Sequence, residues 1–127
     1  MSAQVLAIIY AALTTMPFAL QVALAANAPL GRFTMGGRFP DRLPPLWRGL
    51  AVVQAALLAL MAVVVLDRGT VLSLGLGGVL FWITLALTFL TLLANAASPS
   101  LPERRLWTPV TLVMALCIAG VAYLTSL

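Results

Sequence analysis

The charged side chains of this 127-residue chain fall into three short clusters, and the segments between the clusters are almost wholly apolar. The clusters are residues 32–48, 67–68 and 103–105. The uncharged segments are residues 1–31, 49–66, 69–102 and 106–127. Each of them has at least about 18 mostly apolar residues in a row, enough for a helix to cross the ~30 Å hydrocarbon core of a bilayer. The pattern predicts a membrane protein with four spans.

The composition excludes several classes of function. Hydrophobic residues make up 63% of the chain and charged residues 8%, against roughly 25% charged residues in a soluble domain. Histidine is absent and Cys117 is the lone cysteine, so the sequence predicts no metal site, no cofactor and no intramolecular disulfide. The arginines lie beside apolar segments, which favours a membrane surface over nucleic acid as their partner.

The expected fold is an all-α membrane protein that forms one domain, residues 1–127, as a four-transmembrane-helix antiparallel bundle. The predicted spans are residues 4–26, 45–66, 71–94 and 109–126, with a kink at Pro17. Gly69 is expected in the left-handed conformation after the second helix, and Thr70 as the N-cap of the third. Thr108 is expected to cap the fourth.

The arginines also predict the orientation of the chain in the membrane. Four spans place the connections 27–44 and 95–108 on one face, with both termini and residues 67–68 on the other. Six of the seven arginines belong to the first face, namely Arg32, Arg38, Arg42, Arg48, Arg104 and Arg105. The positive-inside rule therefore predicts a long cytoplasmic first loop, a cytoplasmic third loop and both termini outside.

Each predicted helix carries a stripe of small or weakly polar residues at helical spacing. The third helix has Ser73, Gly77, Thr84, Thr88, Thr91 and Asn95. Close packing of small faces and interhelical hydrogen bonds hold membrane bundles together, so we interpret the stripes as the bundle interior. The alternative is that Gln21 and the threonines of the third helix line a polar passage. No charged residue is predicted at membrane depth, which disfavours a proton- or cation-coupled transporter.

The long first loop is the best candidate binding site. Paired glycines adopt positive φ readily and turn successive N–H groups toward one anion, and arginine adds planar, permanently charged donors. The hypothesis is a site for an anionic lipid headgroup or ligand, formed by Arg32, Gly36, Gly37, Arg38, Arg42, Arg48 and Arg104. The plainer interpretation is that these arginines only anchor the loop and fix its topology.

Ser100 and Glu103 have the spacing of a capping box, which predicts a short interfacial helix over residues 101–107 before the last span. An ion pair between Glu103 or Asp41 and a loop arginine is expected. A catalytic role for Glu103 is disfavoured, because no partner histidine exists in the sequence.

Both connections between helices have a distinctive pattern of residues. It comprises Asn27–Arg32, Gly36–Gly37, Pro40, Leu43–Pro44, Arg48, Asn95, Ser98–Ser100, Glu103–Arg104, Trp107 and Pro109–Val110. The pattern resembles a family of small four-span bacterial integral membrane proteins of unknown function. The resemblance implies the same architecture in a bacterial cytoplasmic membrane, with the two loops forming one joint cap. It implies no activity.

No catalytic motif is present, so the sequence favours a non-enzymatic module that binds lipid or a protein partner, or an accessory subunit of a larger membrane complex. The expected partners are membrane lipids, anionic ones among them, and a second copy of the chain. A homo-oligomeric channel or transporter for a small solute is the alternative. A membrane enzyme acting on a lipid at the cytoplasmic face is the third possibility.

Overall fold

The computed structural model describes residues 1–126, and all the regular structure in that range is helical. Helices α1 to α4 comprise Ala3–Ala25, Pro45–Arg68, Gly78–Ala96 and Leu101–Thr125. Two short 3₁₀ turns, Gly31–Phe33 and Met35–Gly37, lie in the connection between α1 and α2. Each of the four long helices is long and apolar enough to cross a membrane.

The outer faces of the helices are apolar. Val79 is 75% exposed, Leu90 60% and Leu116 64%. Exposing these aliphatic side chains to water would cost a free energy of about 25 cal/mol for each Å² of apolar surface. A bilayer removes that cost, so the exposed aliphatic surface and the four long apolar helices indicate an integral membrane protein.

Hydrogen bonds between the ends of the helices define the up-and-down order of the bundle. Arg48 Nε donates to the carbonyl of Ala25 at 3.3 Å, which places the end of α1 beside the start of α2. Gln4 Nε2 donates to Thr70 Oγ1 at 3.2 Å, so the start of α1 lies beside the end of α2. We call the end with residues 26–44 and 97–100 the loop end, and the other the terminal end.

The third and fourth helices continue this alternation. Asn95 Nδ2 approaches Thr111 Oγ1 at 3.4 Å toward the loop end. At the terminal end, Arg68 Nε donates to Thr125 Oγ1 at 3.1 Å, and its guanidinium lies 5.0 Å from the ring centroid of Phe81. Neighbouring helices are therefore antiparallel, as the sequence predicted.

The four helices do not pack evenly. Helix α1 packs against both α2 and α4, and α3 packs mainly against α4, whereas α2 and α3 make few contacts. The main core joins Tyr10, Val65, Phe81 and Ile118, all fully or almost fully buried. Tyr10 also shares a 2.7 Å hydrogen bond with Thr88 Oγ1, which ties α1 to α3. The weak α2–α3 contact leaves one side of the bundle open.

Helix α3 starts at Gly78, seven residues later than the predicted start at residue 71. The reason is Asp67, whose carboxylate accepts hydrogen bonds from the N–H groups of Leu74 at 2.6 Å, Gly75 at 3.2 Å and Leu76 at 3.1 Å. These bonds hold the segment as a loop, because the three backbone N–H groups converge on one carboxylate, which is not a helical arrangement. A loop over residues 69–77 therefore replaces the shorter connection between the predicted spans 45–66 and 71–94.

The predicted roles of the residues around this loop were also wrong. Gly69 has an ordinary φ of −77°, and Thr70 takes the left-handed conformation at φ 65°. Gly77 is the N-cap of α3 at φ 83°, and a Cβ there would meet open space. Gly77 and Ser73 are thus no part of the interior stripe of α3. That stripe is represented by Thr84 and Thr88, which are both buried.

Helix α4 is continuous from Leu101 to Thr125, so the separate interfacial helix predicted over residues 101–107 does not form. Its N-cap is Ser100, whose Oγ accepts from the Glu103 N–H at 3.4 Å. Thr108, predicted to cap the span, lies within the helix, and its buried hydroxyl has no hydrogen-bond partner in residues 1–126. Pro109 is contained inside the helix without ending it.

Candidate functional site

The first connection folds back onto the start of α4 at the loop end. Trp107 Nε1 donates to the carbonyl of Phe33 at 2.8 Å, and Ser100 Oγ donates to the carbonyl of Arg32 at 2.5 Å. Leu43, together with Leu24 and Ala51, forms a small apolar cluster beneath the connection. The two connections at the loop end therefore form one packed unit.

Gly36 and Gly37 occupy the centre of this unit and have φ values of 65° and 73°. Residues with a side chain disfavour this left-handed conformation, so the glycines have the backbone that an anion nest requires. The N–H of Gly36 already donates to Glu103 Oε2 at 3.0 Å. The N–H of Gly37 donates to the carbonyl of Thr34 at 2.9 Å. The protein's own carboxylate thus occupies the position predicted for a bound anion at Gly36.

The arginines of the predicted site make separate contacts around this unit. Arg32 lies over the ring of Phe33, with 5.0 Å from Cζ to the ring centroid, and Arg38 lies 5.4 Å from the ring centroids of Phe39 and Trp47. Arg48 donates to the carbonyl of Ala25, Arg104 to that of Ser98 at 3.3 Å, and Arg42 is exposed. Binding of an anionic headgroup by these arginines stays a prediction.

A groove of about 590 Å³ opens between α2 and α3, directly beneath the first connection. This volume is within the ~300–1,000 Å³ of typical small-molecule sites. Leu57, Leu58 and Met61 of α2 form one wall, and Leu87 and Thr91 of α3 form the other. Residues 33–36 close the groove at the loop end. The groove could not be predicted from the sequence, because the separation of α2 from α3 depends on packing between helices.

The back wall of the groove contains an unsatisfied polar atom. Gln21 of α1 lines the groove and is 6% exposed. Its Oε1 atom is buried and has no hydrogen-bond partner within residues 1–126. Leaving a buried acceptor unpaired costs about 1–3 kcal/mol. The sequence predicts Gln21 as a polar residue of the interior, but its lack of a partner is visible only in the structure.

Glu103 lines the same groove from the first turn of α4 and is 8% exposed. Its position near the helix N-terminus stabilises a negative charge. The capping-box prediction holds for the Ser100 side chain, but the carboxylate contacts the Gly36 N–H instead of the Ser100 N–H, which donates to Ser98 Oγ at 3.1 Å. Glu103 is the only ionisable side chain among the groove's lining residues in the described range.

The rest of the described chain offers no competing site for metal chemistry. No group of three or more His, Cys, Asp or Glu residues in positions 1–126 is placed to hold a metal ion. Cys117 is buried in the main core of the bundle, which makes it a packing residue. The groove with Gln21 and Glu103 is therefore the strongest candidate site.

Comparisons of the chain with family models, with curated proteins and with solved structures found no match.

Proposed function

We propose that the protein is a non-enzymatic membrane module that binds one amphiphilic lipid molecule in the groove between α2 and α3. The observation that carries the proposal is the groove itself, about 590 Å³ in volume and lined mainly by aliphatic and aromatic side chains. Small-molecule sites combine such an apolar lining with a few polar groups that orient the ligand. Gln21 and Glu103 provide those polar groups.

The groove extends along the bundle axis from the loop end. Glu103 lies at the loop end, and Met114 lies eleven residues further along the same helix. At a rise of 1.5 Å per residue this separation is about 17 Å, roughly half of the ~30 Å hydrocarbon core. A ligand with its polar group near Glu103 and its chain extending toward Met114 would occupy one leaflet, as a membrane lipid does.

The position of the groove supports entry from the bilayer. Helices α2 and α3 make few contacts with each other, so their shared side faces the lipid region of a membrane. Gln54 and Thr91 are exposed and lie along this opening. A lipid chain could enter sideways between the two helices without crossing water.

The same proposal places the protein in a bacterial cytoplasmic membrane, with the loop end in the cytoplasm and both termini outside. Its supports are the arginine bias toward the loop end and the resemblance to small four-span bacterial proteins. A second copy or a larger complex could then use the exposed helix faces. The groove favours the lipid-binding role over a homo-oligomeric channel.

The test is a substitution that fills the groove, compared with one that does not. Thr91→Trp places an indole at the groove opening, whereas Leu90→Trp places it on the neighbouring lipid-facing position, which is 60% exposed. Native mass spectrometry of the purified protein in detergent would measure bound lipid. We expect the wild type and Leu90→Trp to retain one lipid and Thr91→Trp to lose it.

Equal lipid retention by all three proteins would contradict the proposal, because the bound lipid would then lie outside the groove. A protein that carries no lipid but forms a fixed ring of subunits would instead support the channel alternative. Thermal unfolding of each variant in the same detergent is the control for folding.

A further inference from the structure

The polar end of the groove determines which class of lipid it would take, and this inference rests on the proposed function. Several polar residues line that end, and Glu103 is the one ionisable side chain among the described lining residues and is more than nine-tenths buried. The Glu103 carboxylate accepts one hydrogen bond from the chain, at Oε2 from Gly36. The other carboxylate oxygen accepts no hydrogen bond from residues 1–126, so this end of the groove offers a charged acceptor to a donor.

The charge at this end of the groove is negative. The described residues that line the groove include one carboxylate and no arginine. Arg104, the neighbour of Glu103 in the sequence, donates instead to the carbonyl of Ser98. Arg32 and Arg38 lie over aromatic rings of the first connection. A buried carboxylate is costly unless a cation or several donors compensate it.

We propose that the ligand is a single-chain amphiphile with a primary ammonium group, held by the Glu103 carboxylate. An ammonium group has three N–H donors and one positive charge, which complements a carboxylate that has one negative charge and an oxygen without a partner in the described residues. Its alkyl chain would extend along Leu58, Met61 and Leu87 toward the middle of the membrane. A phosphate group fits this end poorly, because no arginine lines it.

The ligand class differs from the anionic headgroup predicted for the first connection, and of the residues predicted for that headgroup the groove lining includes Gly36 but none of the arginines. The arginines that make cation–π contacts lie on the outer face of the first connection, whereas Glu103 and Gln21 lie in the groove beneath it. The outer face would bind the anionic membrane surface. The groove would select a cationic guest from the membrane.

The experiment uses dodecylamine, dodecanol and dodecanoate, which share one chain length and differ in the polar group. The purified full-length protein in detergent is titrated with each probe, and native mass spectrometry measures the bound fraction. Hydrogen bonds to a charged group are stronger than neutral ones by about one order of magnitude in binding constant. We expect dodecylamine to bind about tenfold more tightly than dodecanol and dodecanoate to bind least.

The variant Glu103→Gln tests the ion pair. Glutamine keeps an oxygen that accepts from the Gly36 N–H but removes the negative charge. We expect the preference for dodecylamine over dodecanol to disappear in this variant while dodecanol binding stays unchanged. If Glu103→Gln does not fold, the wild-type order of the three probes decides alone. Equal binding of dodecylamine and dodecanol to the wild type would overturn the inference.

The groove-filling variant separates the two levels of the proposal. If Thr91→Trp abolishes binding of dodecanol and dodecylamine alike and the wild type shows no preference between them, the groove binds lipid but the ammonium inference fails. If Thr91→Trp changes neither, both the proposed function and the inference fail. Phosphatidylethanolamine carries the same ammonium beside a phosphate, so its retention over dodecylamine would assign the site to a phospholipid and overturn the single-chain inference.

Discussion

The carboxylate of Glu103 accepts a hydrogen bond from the backbone N–H of Gly36 at 3.0 Å, across 67 positions of the chain. Gly36 has a φ of 65°, which directs its N–H toward the first turn of α4. The same carboxylate lines the groove between α2 and α3. One side chain thus fixes the first connection and also forms the polar end of the candidate site, so the connection and the groove are structurally coupled.

Gly37→Val should destabilise the protein without changing its charge. A side chain at φ 73° is strained, and a Cβ at this position would lie 2.9 Å from the Cβ of Ser100. Holding a residue other than glycine in the left-handed region costs about 1–3 kcal/mol. We expect a loss of this size, measured by chemical unfolding in detergent.

The matched control for this variant is Gly49→Ala. A Cβ at Gly49, an exposed position in α2, has no atom within 4 Å, and alanine favours a helix by about 1 kcal/mol over glycine. Gly49→Ala should therefore be neutral or stabilising. Similar losses in both variants would show that the conformation of Gly37 is not what stabilises the first connection.

Trp107→Phe should loosen the first connection while keeping an aromatic ring in the loop-end wall. The indole N–H donates to the carbonyl of Phe33 at 2.8 Å, and Trp107 is 7% exposed. Removing the donor leaves that carbonyl unpaired, at a cost of about 1–3 kcal/mol. Amide hydrogen exchange should rise over residues 31–37. Trp82→Phe is the control, because Trp82 is 48% exposed and faces away from the core.

The sequence alone was sufficient to predict the four helices that the structure contains. Uninterrupted apolar segments of membrane length leave few alternatives to a helix, because each unpaired backbone N–H or C=O group in lipid carries a high free-energy cost. The boundaries set by local chemistry were also predictable. Pro45 starts α2 and Ser100 caps α4, as proline and serine do at helix N-termini.

The features that were missed depend on side-chain contacts and helix packing, which hydropathy does not encode. Residues 71–76 are mostly apolar and were predicted to be part of the third span, yet the Asp67 carboxylate holds them as a loop. The groove likewise depends on how far α2 stands from α3, which hydropathy does not encode. Gln21 was recognisable as an interior polar residue, but its missing partner was visible only in the folded chain.

Asp67→Asn should free the loop between α2 and α3. The aspartate uses both oxygens to accept three backbone N–H groups, from Leu74, Gly75 and Leu76. Asparagine has one acceptor oxygen, and its amide NH₂ group would face a backbone N–H, which is also a donor. We expect faster amide exchange at residues 74–76 and no change at the loop end. Ser73→Ala, an exposed position in the same loop, is the control and should leave the exchange rates unaltered.

The orientation of the bundle in the membrane can be measured directly. We expect the loop end to face the cytoplasm, because six of the seven arginines belong to residues 32–48 and 103–105 and one lies at the terminal end. Single cysteines at Ser2 and Ala97, both exposed, would be introduced after replacing the buried Cys117 with alanine. A membrane-impermeant thiol reagent added to intact bacterial spheroplasts should label the cysteine at position 2 alone. Permeabilised membranes should give labelling at both positions. The opposite pattern, with position 97 labelled from outside and position 2 protected, would place the arginines outside and invert the proposed topology.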